Sequence, residues 1–193
     1  MSSLFYYVFT GGPGSGKSSV ISELKRLGYV CAPESGRAVI KQQMADGGEA
    51  LPWVDKVKFR DAMLEEDKRL YQHYSHLNEP VFFDRGIMDS YGYSKLESLP
   101  ISAELMHCCK TYRYAKQVFI FPPWQEIYVN DSERKQDFST AIATYEMMKQ
   151  VYQELGYDLV EVPKASVQDR VQFVLARVTN PIQLPLISTS SAK

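Results

Sequence analysis

Long apolar runs, a cysteine framework and a surplus of either charge are all missing from this 193-residue chain. The first apolar stretch, "LFYYVF" at 4–9, is far too short to cross a bilayer and follows no basic segment, so neither a membrane anchor nor a secretory leader is expected. Three cysteines, Cys31, Cys108 and Cys109, make an odd count without framework spacing, which points to reduced thiols in a cytoplasmic setting. With 22 Lys and Arg against 23 Asp and Glu, the net charge is −1, so no overall field draws in nucleic acid or an anionic membrane. Any anion site must therefore be local. His73 and His76 lack the spacing of an HExxH zinc pair. No Asn-Lys-x-Asp motif occurs, the nearest being "SKLE" at 94–97, which argues against a guanine-nucleotide switch.

What is present is an ordinary globular composition, 45% apolar and 23% charged, with one domain expected over 1–178. A tail over 179–193, carrying "NPIQLPLISTSSAK", should pack partly and then fray. Apolar runs at 4–10, 29–32, 81–83, 117–121 and 159–162 are short and rich in β-branched and aromatic residues, as parallel strands buried on both faces are. Between them, the segment 56–77 sets Phe59, Met63, Leu70, Tyr74 and Leu77 on one helical face. A second segment, 141–155, sets Ile142, Tyr145, Met148, Tyr152 and Leu155 at steps of three or four. Gly28 and Gly156, in "RLGYV" and "ELGYD", stand where a left-handed residue ends a helix just before a strand. Strand alternating with helix predicts right-handed crossovers and a three-layer α/β fold on a five-stranded parallel sheet.

Directly after the first strand comes "TGGPGSGKSSV", which satisfies Gly-x-x-x-x-Gly-Lys-Ser. Gly11, Gly12, Pro13, Gly14, Ser15 and Gly16 allow successive N–H groups to turn into one concavity, and the helix beginning near Lys17 adds its positive end. Lys17 can neutralise β and γ phosphates, the Ser18 hydroxyl can ligate Mg²⁺, and Ser19 completes the loop. A lysine at a helix start opposes the helix dipole, which makes sense only beside an anion. ATP with Mg²⁺ is the expected ligand.

Farther on, "EPVFFDRGIMDS" ends an apolar run in Asp84, Arg85 and Gly86. An acid at the tip of a strand beside the phosphate loop can hold the metal or its water, although Asp and Gly also favour turns for their own reasons. In "YVCAPESGRAVI" a strand likewise stops at a proline and sets down Glu34 and Arg37. Ligands of open parallel sheets bind at the carboxyl edge of the strands, so Glu34 should face the same crevice as the phosphate loop. Glu34 and Arg37 could equally pair at i, i+3 on a helix surface.

A phosphate loop after strand one, Asp-Arg at the end of a later strand and a charged loop in the last third together resemble the P-loop NTPase kinases of nucleosides and nucleotides. The chain is similar also to the ribosylnicotinamide-kinase-like group of small ATPase domains often labelled AAA-type. The resemblance runs over about 4–177 and implies a kinase-like sheet of order 2-3-1-4-5, with the strand ending at Asp84 next to the strand ending at Gly11. It implies that Glu34 accepts the proton of the acceptor hydroxyl while Arg37 holds the acceptor or the transferring group. Asp84 is assigned to the metal together with Ser18, and competes with Glu34 for the base role. By the same resemblance, "FPPWQEIYVNDSERKQDFST" at 121–140 corresponds to a lid, with Arg134 as its transition-state charge, and Pro163 lies against the adenine. Ser166 reads as the N-cap of the final helix. Trp53 is open between a stacking role and the core.

Two functions follow. One is an Mg-ATP-dependent phosphotransferase with a small nucleoside-, nucleotide- or ribosyl-type acceptor. The other is an ATP-hydrolysing regulatory module with a protein partner and no small acceptor. A ring-forming motor is disfavoured, because little chain is left for a helical lid subdomain. Oligomeric state stays open.

Overall fold

The computed structural model describes residues 5–128 and 137–178. In chain order they form β1 (Tyr6–Gly11), α1 (Lys17–Arg26), β2 (Val30–Ala32), α2 (Ser35–Asp46), α3 (Lys56–His73), β3 (Val81–Asp84), α4 (Ile87–Leu96), α5 (Ala103–Thr111), β4 (Gln117–Phe121), α6 (Phe138–Glu154), β5 (Asp158–Glu161) and α7 (Val167–Leu175). All strand pairs are parallel, and the sheet order is β2-β3-β1-β4-β5. Register sets Phe9 opposite Asp84 and Ala32 opposite Phe83, so the tips of β1, β3 and β2 lie side by side at one edge.

The two-residue period of a strand divides the core in two. Tyr6 and Val8 of β1, Val81 and Phe83 of β3, and Val118 and Ile120 of β4 face one way, where they meet Leu64 of α3, Met88 of α4, Leu105 of α5, and Tyr145, Met148 and Tyr152 of α6. Tyr7 and Phe9, Phe82, and Phe119 and Phe121 face the other way and pack on Val20 and Leu24 of α1 and on Val171 and Val174 of α7. Both faces of the central strands are thus covered, and full burial of each large apolar side chain contributes about 1.5–3 kcal/mol. The outer strand β5 is different: its residues are exposed or half-buried because it has a neighbour on one side only.

Helix ends follow local chemistry. Gly28 and Gly156 take φ values of +91° and +81° just past α1 and α6, the left-handed stops expected before strands. The Ser166 hydroxyl accepts from the Asp169 N–H at the start of α7. On α6 the buried face runs through Ala141, Tyr145, Met148 and Tyr152, which leaves Ile142 44% exposed, so the expected stripe is off by one position at its first member. Trp53 is 61% exposed and does not belong to the core. The tail over 179–193 lies outside the described residues. Among the described residues no helix is long and apolar enough to cross a membrane.

All three cysteines are free and buried. Burial pushes the thiols up, to about 11 for Cys31 and about 12 for Cys109.

One charged-type residue lies deep between helices. Asp67 of α3 is buried against the first turn of α2, hydrogen-bonded to Ser35. Burial pushes its carboxyl up to about 8, with Asp89 and Glu66 adding to the shift and Ser35 and Arg85 opposing it. An unfolded Asp titrates near 4. The folded chain therefore holds a proton that the unfolded chain has lost, and stability contributed by that proton declines as pH rises from about 4 towards 8. Asp67→Asn mimics the neutral acid. It is expected to melt at the higher temperature above pH 8, with the gap to the wild type shrinking steadily as pH is lowered to 5. Thermal denaturation followed by circular dichroism across that range checks this, and a gap independent of pH would contradict it.

Candidate active site

The phosphate loop begins where β1 ends. Gly11 has φ +126°, and a β-carbon there would lie 2.4 Å from the Phe121 carbonyl oxygen, so only glycine lets the chain leave the sheet against β4. Gly16, at φ +82°, is the N-cap of α1. The first turn of α1 has no acidic residue, and its last turn carries Lys25 and Arg26, which leaves the positive end of the helix open to an anion. Lys17 is only 6% exposed. Its Nζ donates to the Gly12 carbonyl at 3.0 Å and to Ser15 Oγ at 3.4 Å, while Ser15 Oγ donates to the same carbonyl at 2.9 Å. Within the loop the ammonium's acceptors are weak neutral ones that phosphate oxygens would outcompete. Pro13 is buried, whereas Gly14, Ser18 and Ser19 lie open at the loop's mouth.

A second cation stands behind the loop. Arg170 of α7 is 4% exposed; its Nη1 donates to the Gly16 carbonyl at 3.3 Å and its guanidinium lies 5.4 Å from the Trp124 ring centre. Its Nε has no hydrogen-bond partner among the described residues, and burial pulls its pKa down. Nothing in the local sequence marks this residue, which reaches the loop only because α7 packs on α1.

At the neighbouring strand tips the sign of the charge reverses. Asp84, 8% exposed, is the last residue of β3, and Glu34 is the N-cap of α2, placed there by the extended turn after β2. Arg85 lies between them with φ +70°, a left-handed backbone that a long side chain takes only when its surroundings hold it. Its Nε donates to Glu34 Oε1 at 3.3 Å, and its Nη1 to Asp89 Oδ1 at 2.9 Å. Burial pulls the Arg85 pKa down, but Asp89, Glu34 and Asp84 together raise it well above its ordinary value, so the group stays charged. Arg37 Nε donates to Glu34 Oε2 at 3.1 Å, with the Arg37 side chain 45% exposed. The i, i+3 pair is therefore present, and Glu34 is held between two guanidinium groups.

Of the residues expected from sequence, the loop from Gly11 to Ser19 lies at the tip of β1, with Asp84 and then the turn carrying Glu34 and Arg37 beyond it along the same edge. Pro163 follows β5 and is exposed. Arg134 lies outside the described residues. Sequence reasoning missed Arg85, Asp89 and Arg170 as site residues. The first could have been found from the Asp-Arg-Gly signal itself, since a basic residue beside a buried acid needs a partner.

Comparison with known proteins agrees with this architecture. No curated protein matches the chain. Among solved structures it is similar to a deoxyadenosine kinase from M. mycoides, at 15% identity and a TM-score of 0.64 over 89% of this chain and 97% of that one. It is similar also to an NadR protein in complex with NR, at 18% identity and a TM-score of 0.66; the match covers 90% of this chain but only 51% of that one. Shikimate kinase from Aquifex aeolicus matches at 17% identity and a TM-score of 0.51, covering 89% and 94% of the two chains. These likenesses establish a fold of the P-loop kinase kind. Residues 6–170 match the family described as AAA domain, and the chain belongs to that family.

Proposed function

We propose that this protein is an Mg-ATP-dependent kinase that transfers the γ-phosphoryl group to a hydroxyl or phosphate of a nucleoside-, nucleotide- or ribosyl-type acceptor. The observation that carries this function is the order of charges along one sheet edge. A cationic phosphate loop at the tip of β1 adjoins Asp84 at the tip of β3, and Glu34 follows at the tip of β2, joined to Asp84's neighbour Arg85. The fold likeness to a deoxyadenosine kinase and to an NadR protein supports the acceptor class.

In this mechanism the amides of Gly14 to Lys17 and the positive end of α1 bind the phosphates, and Lys17 turns from the Gly12 carbonyl to the β and γ oxygens. Ser18 and Asp84 would hold Mg²⁺ through hard oxygen donors. Among the described residues no group of three or more His, Cys, Asp or Glu could hold a metal ion. When bound, Mg²⁺ neutralises charge developing on the phosphoryl oxygens. Glu34 takes the proton of the acceptor hydroxyl as the new bond forms. Arg85 and Arg37 spread positive charge at the acceptor end. Arg134 would close over ATP as part of a lid, and Pro163 would border the adenine.

Labelled ATP mixed with a panel of nucleosides, nucleotides and ribosylated bases tests the proposal. Label is expected on a small acceptor; release of free phosphate at a rate no acceptor changes would instead support a regulatory ATPase. Lys17→Ala is expected to lower ATP turnover by about 10²-fold or more, as removal of one transition-state donor does. Glu34→Gln is expected to lower transfer by about 10²- to 10⁴-fold, the range for losing a general base, with ATP affinity measured by calorimetry little altered.

A further inference from the structure

Asp89 is a carboxylate of the crevice with four hydrogen bonds. It sits in the first turn of α4, buried, and both of its oxygens are doubly used. Oδ1 accepts from Thr10 Oγ1 at 2.7 Å and from Arg85 Nη1 at 2.9 Å. Oδ2 accepts from the Gly86 N–H at 3.1 Å and from Tyr152 Oη at 2.6 Å. The Gly86 bond alone would be ordinary capping of a helix, which many residue types can supply. The other three join separate elements. Thr10 is the residue of β1 just before Gly11, where the phosphate loop starts, and Tyr152 belongs to α6. Burial, reinforced by Asp89, keeps the Tyr152 hydroxyl protonated, so it remains a donor.

We propose that Asp89 is a positioning residue that fixes Arg85, and through it Glu34, relative to the strand bearing the phosphate loop. The inference rests on the kinase function proposed above. Its physical basis is competition for one guanidinium. Asp89 accepts from Nη1 at 2.9 Å while Nε donates to Glu34 at 3.3 Å, so one guanidinium is shared between the two carboxylates and its direction is set by both. Because Thr10 shares the same oxygen, the position of that guanidinium is referred directly to β1. Glu34 is thereby linked through Arg85 and this carboxylate to the strand that bears the phosphate loop.

The test uses two variants. Asp89→Asn keeps the shape but removes the charge, and Thr10→Val removes one neutral hydrogen bond, that of a hydroxyl bonded to Asp89 and to neither Arg85 nor Glu34. Asp89→Asn is expected to lower kcat for transfer by about 10- to 100-fold, the effect of a misplacement near 1 Å, with the ATP dissociation constant unchanged. Thr10→Val is expected to lower it in the same sense by a smaller factor. Rates are taken well below each variant's melting temperature, so that loss of fold does not enter. Independently of any acceptor, the Arg85 Nε–H cross peak in a ¹⁵N–¹H spectrum of the free protein, assigned by its loss in Arg85→Lys, should shift in both variants. An Arg85 resonance unmoved by both substitutions, or full transfer rates in both, overturns the inference. If the wild type transfers phosphate to no acceptor, the kinase function fails while the resonance still decides whether Asp89 sets Arg85.

Discussion

How one buried positive charge is divided decides the form of the crevice. Arg85 is enclosed by Asp89, Glu34 and Asp84. Removing a guanidinium from water costs several kcal/mol unless paired charges and good hydrogen bonds offset it. A planar fork with five donors can bond two carboxylates at once from different edges, which a lysine ammonium cannot do in fixed directions. The strained backbone of Arg85, at φ +70°, is kept because these bonds hold the side chain on one side and the start of α4 holds the chain on the other. The turn after β2 and the first turn of α4 are in this way tied to each other although 51 residues separate Glu34 from Arg85.

Along the carboxyl edge of the sheet the three acids stand beyond the phosphate loop, with Arg85 and Arg37 paired among them. Lys17, Arg170 and the open end of α1 gather at β1, whereas Glu34, Asp84 and Asp89 gather at β2, β3 and the start of α4. This placement comes from strand order: β3 lies between β1 and β2, so the acid at its tip stands between loop and base.

The phosphate loop and the five strands were legible because each depends on local chemistry: glycines where the chain must turn, and unbroken apolar runs where both faces of a strand are covered; the order of the strands was implied only by the resemblance to P-loop kinases. The helix α4 was not. Nearly every one of its residues from Ile87 to Ser94 is buried, so it shows no amphipathic stripe. Its Asp89 was therefore given no role, and Arg85 was noted only beside Asp84. Arg170 shows the same limit from another direction: it is an unremarkable helical arginine until α7 is laid on α1 and brings it to Gly16, 154 residues away. Ile142 fell on the wrong side because the pattern on α6 centres on Ala141, whose small side chain barely registers as apolar. The short strand β5 reads as buried by composition, yet it lies at the sheet's edge, a position that depends on the rest of the chain.

The state of the thiols gives the molecule a practical property. Cys31, Cys108 and Cys109 all lie within the two packed layers, and desolvation keeps them as protonated thiols far from neutrality. The thiolate is the form that attacks an alkylating reagent, so the native protein presents almost no thiolate nucleophile to one. A single engineered cysteine on the outside could then carry a fluorophore without removal of any natural one, and the three concealed sulfurs would become labelled only in molecules that had opened.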